Sequence, residues 1–232
     1  YGVTPDRESA HIWAGGLIVR EMEDMPSNFR CEGKLDDLLA EEGITGITGI
    51  DTRALTRLLR KKGTMNGMIT TDVDYCMSDV IMKLHTYKMG NVVRETSCKE
   101  SYVLKGDGPR IALLDLGAKA NIAASLNKRG CEVTVYPADT SAETILQANP
   151  DGIMLSNGPG DPSTCMEIIS QVRRLYESDI PIFAICLGHQ LMALANGAKT
   201  YKLTYGHRGG NHPVKDLTDG KVYISSQNHG YA

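Results

Sequence analysis

No apolar run in these 232 residues approaches the ~20 needed to span a bilayer, and no signal-peptide pattern opens the chain. A basic excess is also missing. The 25 basic and 28 acidic residues are spread along the sequence for a formal net charge of −3, which argues against a nucleic-acid binder with one basic face. The six cysteines, at 31, 76, 98, 131, 165 and 186, include no C-x-x-C pair, and no histidine stands at ligand spacing from them. Neither a disulfide framework nor a zinc site is therefore expected. Internal repeats, low-complexity tracts and a G-x-x-x-x-G-K-[ST] phosphate loop are absent as well.

The rest of the composition is unexceptional. Hydrophobic residues at 41 % and charged residues at 23 % are near the globular average. The length holds one large or two modest domains, each able to bury a core. A soluble, cytoplasmic protein that binds no metal is the expectation. The chain begins with Tyr1 instead of methionine and stops at Ala232 directly after a strand-and-turn pattern, so truncation at both ends is expected.

The pattern changes character at Gly106-Asp107-Gly108-Pro109, a run of turn residues that reads as a linker or boundary. This divides the chain into a smaller α+β domain with linker over 1–105 and a second domain over 109–232. Upstream, Lys34–Glu42 places Leu35, Leu38 and Leu39 on one helical face and stops at Gly43. Asp51–Lys62 has an N-cap in Asp51, a stripe of Leu55, Leu58 and Leu59, and a stop at Gly63. Its Arg53, Arg57, Arg60, Lys61 and Lys62 read as a solvated surface, with cations favouring the helix C-terminus.

Downstream, apolar runs suited to buried strands fall at Arg110–Leu116, Glu132–Tyr136, Gly152–Leu155 and Ile180–Ile185. Helical stretches lie between them at Ala118–Arg129, Ala142–Ala148 and Thr164–Tyr176. This alternation predicts an α/β domain, a doubly wound and mostly parallel sheet covered on both faces. Ligands gather at the carboxyl ends of the strands in such sheets. His207–Pro213 reads as a loop before a strand at Val222–Ser226.

The strongest chemical signal is Pro181-Ile-Phe-Ala-Ile-Cys186-Leu-Gly-His-Gln190, an apolar strand running into a cysteine and then into a helix. A strand–nucleophile–helix elbow presents its side chain on a tight, strained turn. The helix N-terminus favours the thiolate, and its free N–H groups can bind an oxyanion. Small residues at Ala184 and Gly188 let the turn close. The other five cysteines lack such a context and read as packing residues. A second signal, Ser156-Asn157-Gly158-Pro159-Gly160-Asp161-Pro162, follows the third strand, and its glycines let the backbone approach a ligand. The third is Gln227-Asn228-His229-Gly230-Tyr231, polar residues ending the last strand.

S-N-G-P-G-D-P, F-A-I-C-L-G-H-Q, G-G-N-H-P-V-K-D and Q-N-H-G-Y, in that order, resemble the class I (triad) glutamine amidotransferases. Upstream, A-G-G-L-I-V-R-E, S-N-F-R and I-D-T-R-A-L-T-R-L-L-R-K-K-G-T-M-N-G are similar to the N-terminal domain of carbamoyl-phosphate synthase small subunits. The resemblance implies that Cys186 attacks the glutamine side-chain amide. Backbone groups of Gly158, Gly160 and Leu187 would line the pocket and oxyanion hole. Gln190 would hold the glutamine, and Asn228, Gly230 and Tyr231 would fix its α-amino and α-carboxylate end.

The family usually has glycine where this chain has Ala184, a tolerable change. The family's catalytic histidine and glutamate belong to an H-P-E segment expected beyond Ala232, and its upstream serine contact is expected before Tyr1. His189 sits on the helix leaving the elbow, a poor place for a base. His207, His212 and His229 read as loop and pocket-wall residues.

The implied activity is that of a glutamine-hydrolysing carbamoyl-phosphate synthase, through a cysteine thioester, serving arginine and pyrimidine biosynthesis. The implied partner is an ATP-using large subunit that receives the ammonia. No cofactor is expected in this chain, and ATP and Mg belong to the partner. An amidotransferase subunit of another synthase and a non-catalytic assembly subunit are the competing readings.

Overall fold

The computed structural model describes residues 2–232. The chain divides into two compact units, 1–88 and 89–232. In the first, β1 (Leu17–Ile18) is followed by α1 (Leu35–Glu41), β2 (Gly46–Ile47), α2 (Thr52–Lys62) and α3 (Met77–Thr86). β1 and β2 pair in parallel, with Leu17 opposite Gly46. The expected signals of α2 act as read: the Asp51 carboxylate accepts from the Ala54 N–H at 2.9 Å, and the Gly63 N–H donates to the Leu59 carbonyl at 2.8 Å. Its leucine stripe is less covered than the periodicity implies, for no residue of α2 is buried and Leu58 is 44 % exposed.

The second unit runs α4 (Val92–Thr96), β3 (Tyr102–Leu104), β4 (Arg110–Asp115), α5 (Ala120–Lys128), β5 (Glu132–Pro137), α6 (Ala142–Gln147), β6 (Gly152–Leu155), α7 (Met166–Tyr176), β7 (Ile182–Ala184), α8 (Leu187–Ala195), β8 (Lys202–Lys215) and β9 (Val222–Tyr231). Five strands form one sheet in the order β3-β5-β4-β6-β7. Its neighbours are parallel except β3, which runs antiparallel to β5. Alternate residues of β4 serve opposite faces, as the two-residue period demands. Ala112 and Leu114 pack with residues of α6, α7 and α8, while Leu113 packs with Ala123 of α5, Val133, Val135 and Met154. Burial on both faces explains why these strands read as near-continuous apolar runs. The turn cluster Gly106–Pro109 lies inside this unit, between β3 and β4, where the Gly108 N–H donates to the Gly130 carbonyl at 2.8 Å.

One expectation is overturned. The segment His207–Pro213 is not a loop but the middle of β8, which pairs antiparallel with β9: His207 opposite His229, Arg208 opposite Asn228, Gly209 opposite Gln227. Glycine, asparagine and proline are poor strand formers, so local composition hides this strand. The ladder with β9 supplies what propensity does not, and register shifts near Gly209–His212 absorb the irregularity. β9 correspondingly extends to Tyr231, past the expected end at Ser226. Among the described residues no helix is long and apolar enough to cross a membrane, and no group of three or more His, Cys, Asp and Glu side chains is gathered to hold a metal ion.

Candidate active site

β4, β6 and β7 end side by side, and the loops that leave them meet. The Ser156 hydroxyl, fully buried, accepts from the Leu116 N–H at 2.9 Å and donates to the Asn157 carbonyl at 2.8 Å. The Ser156 carbonyl in turn accepts from the Gly188 N–H at 3.1 Å. Asp115 closes β4 by accepting from the N–H groups of Cys98, Gly117 and Ala118 at 2.7–2.9 Å.

Cys186 stands between β7 and α8 with φ 48° and ψ −104°, a left-handed backbone that a non-glycine residue adopts at a cost of order 1–3 kcal/mol. The elbow predicted from the sequence is thus present. Two glycines are required for it on steric grounds. A Cβ at Gly188 would lie 2.6 Å from Leu155, and one at Gly158 would lie 2.1 Å from the Leu116 carbonyl oxygen and 2.6 Å from the Leu187 side chain. The Gly158–Gly160 loop is therefore pressed against the first residue of α8. Neither Gly158 nor Gly160 donates its N–H to a protein backbone acceptor among the described residues.

The Cys186 thiol is half-buried and directs its hydrogen toward the Asn228 carbonyl of β9, 3.8 Å away. Burial pushes the thiol above its ordinary value, while the Leu187 N–H and the Arg208 charge pull it down. Burial is the largest of these influences. Cys76, exposed at the start of α3, is held below its ordinary value by the Ser78 hydroxyl, which bonds it at 3.0 Å.

Gln190 donates from Nε2 to the Tyr231 carbonyl at 2.6 Å, joining α8 to β9. The Tyr231 phenol is pushed upward by burial and by the Asp161 carboxylate at the end of the glycine loop. Cys186, Gln190, Asn228 and Tyr231 are thus brought together, with Gly158 against Leu187 at the same strand ends. His189 is exposed on the first turn of α8.

His207, His212 and His229 gather on the ribbon. His229 Nδ1 lies 2.6 Å from the Tyr231 carbonyl, which can only accept, so this nitrogen carries the proton. His229 Nε2 meets His207 Nδ1 at 3.1 Å and Gln227 Oε1 at 3.0 Å. No histidine nitrogen is bonded to the Cys186 sulfur among the described residues. Arg208 was missed altogether in the sequence reading, because a residue assigned to a loop has no predictable direction; the strand alternation of β8 would have raised it.

Two family profiles match the chain: "Glutamine amidotransferase class-I" over residues 112–232, and "Carbamoyl-phosphate synthase small chain, CPSase domain" over residues 1–69. Curated relatives named carbamoyl phosphate synthase small chain align along the whole of it. Those of Symbiobacterium thermophilum and Listeria monocytogenes are each 48 % identical, with 66 % and 64 % of their own lengths covered. That of Bacillus cereus is 50 % identical, with 63 % covered. The chain therefore spans just under two thirds of the length of these relatives. With its elbow, glycine loop and parallel sheet inside the matched 112–232 region, the chain belongs to the class I glutamine amidotransferase family, joined to an upstream domain of the carbamoyl-phosphate synthase small-chain type.

Proposed function

We propose that the chain is the glutaminase part of a carbamoyl-phosphate synthase, with Cys186 as nucleophile. The observation that carries this reading is the positive-φ elbow at Cys186, seated against the Gly158–Gly160 loop and under β9. A strained backbone turn holds the sulfur half-buried at the strand end instead of in the core. The Cys186 sulfur attacks the side-chain carbonyl carbon of glutamine, giving a tetrahedral oxyanion. The N–H groups of Leu187, Gly158 and Gly160 are the donors available to stabilise it. The carbon–nitrogen bond then breaks, ammonia leaves with a proton, and water hydrolyses the γ-glutamyl thioester to glutamate. Gln190, Asn228, Gly230 and Tyr231 form the wall that fixes the rest of the substrate.

Proton transfer in this scheme needs a general acid and base, which typically contribute ~10²–10⁴-fold. We assign them to the stretch of the longer relatives that this chain does not span. The proposed partner is the ATP-using large subunit, which consumes the ammonia; ATP and Mg act there, and no cofactor is assigned to this chain. A diazo-ketone analogue of glutamine tests the reading. Peptide mapping of the labelled full-length chain is expected to place the label on Cys186, and Cys186→Ser is expected to abolish glutamine turnover. Label spread over the other thiols, or turnover retained by Cys186→Ser, would overturn it.

A further inference from the structure

The reaction proposed above leaves one cation of the β8–β9 ribbon without a role. Arg208 lies opposite Asn228 in the β8–β9 register. Its Nη1 donates to the His207 carbonyl at 2.8 Å and also to the His229 carbonyl on the facing strand. One guanidinium thus binds both strands of the ribbon, at the residue next to the carbonyl that the Cys186 thiol meets. Its Nη2 lies beside Gly230, 3.6 Å from where a Cβ would stand. No carboxylate is ion-paired with Arg208 among the described residues. An unpaired positive charge near a half-buried sulfur favours the thiolate by Coulomb attraction.

We infer that Arg208 is a positioning residue for Cys186, holding β9 over the elbow through the two carbonyls and presenting its charge to the sulfur. This deepens the reading of Cys186 as nucleophile and rests on it. The opposing influences are on the page. Burial raises the thiol, and Arg208 and the Leu187 N–H lower it. The other titratable groups around the site are His207, His212 and His229 on the ribbon, Tyr231 with the Asp161 carboxylate beside it, and His189 exposed on α8. None of them is bonded to the sulfur.

The test reads the thiol directly. In the full-length chain, iodoacetamide alkylation of Cys186 is followed over a pH series by peptide mass spectrometry, with Cys76 in the same digest as internal reference. Arg208→Gln is expected to move the Cys186 midpoint up by about one unit and to slow its alkylation at neutral pH about tenfold. Arg208→Lys, which keeps the charge, is expected to restore most of that rate. The Cys76 midpoint should stay where it is in both variants. Because Arg208 is exposed, added salt should also raise the Cys186 midpoint in the unsubstituted chain, a measurement independent of whether any variant folds.

An unchanged Cys186 midpoint in Arg208→Gln, or no response of the unsubstituted chain to salt, would overturn the inference. A midpoint that follows the charge while Cys186→Ser still hydrolyses glutamine would instead sink the nucleophile reading and leave the coupling standing.

Discussion

Residues 1–88 and 89–232 use apolar side chains in opposite ways. In the first unit Leu39 is the only buried apolar side chain among the described residues, while Phe29 is 97 % exposed, Val73 86 % and Met25 83 %. In the second, Leu113, Leu155, Val133, Val172, Leu175 and Leu191 are all completely shielded. The contrast follows from architecture. A five-stranded sheet with helices on both faces removes two layers of side chains from water, whereas a pair of two-residue strands and three short helices cannot. Similar apolar fractions in a sequence thus give very different cores, and the position of strained chemistry follows the stiffer one.

The sharpest way to break this comparison is to cut side chains in both units. Leu113→Ala is expected to cost about 2–5 kcal/mol in urea unfolding, since it leaves a cavity in a closed core. Leu58→Ala on α2 should cost no more than about 0.5 kcal/mol. Equal losses would show that the first unit has a core its burial does not reveal.

Glycines provide the next contrast. Gly158→Ala is expected to destabilise by about 1–3 kcal/mol and to remove labelling of Cys186 by the glutamine analogue, because its methyl group meets the Leu116 carbonyl. Gly67→Ala has nothing within 4 Å to meet, and its unfolding midpoint should barely move, by less than about 0.5 kcal/mol.

Helix caps should blur the distinction, since a cap acts locally. Asp51 caps α2 in the first unit, and Ser141 caps α6 in the second by accepting from the Thr144 N–H at 3.1 Å. Either residue changed to alanine is expected to cost about 1 kcal/mol by the same unfolding measurement. A cost confined to Ser141 would mean that α2 has little stability for a cap to add.

A further expected effect is alkaline. Burial, helped by the Asp115 carboxylate, pushes the Cys98 thiol from its ordinary value of 9.0 up to about 11. Folding therefore favours the neutral thiol. Its contribution to stability is complete below pH 9 and is lost as the pH climbs through about 11. The unfolding midpoint of the second unit should fall across that window, and Cys98→Ala should flatten the fall. An unaltered slope would remove Cys98 from the account.

The core strands and the elbow were legible because each has a signal of its own. β4, β5 and β6 are apolar runs of strand length, and Cys186 stands at a strand-to-helix junction flanked by small residues. Asp51 and Gly63 acted at the ends of α2 as their chemistry dictates. What stayed hidden depended on partners distant in the chain. β3 joins the sheet only by pairing with β5, and the middle of β8 is a strand only because β9 lies beside it. The histidine cluster and Arg208 share that origin, as cross-strand neighbours about twenty residues apart in sequence. Desolvation of Cys186 was equally invisible, since burial is a property of the assembled fold.

Ser156 links the ends of β4, β6 and the elbow, through its buried hydroxyl and its backbone carbonyl. A joint of this kind has a kinetic signature. The amide protons of Leu116 and Gly188, 72 positions apart, both meet Ser156, one at its side chain and one at its carbonyl, the latter shared with the Ile185 carbonyl. They should exchange with solvent deuterium through one shared opening event instead of two local ones. Ser156→Ala would release the Leu116 proton while leaving the Gly188 acceptor in place, so a simultaneous acceleration of both would identify the nucleophile turn and the end of β4 as a single cooperative unit.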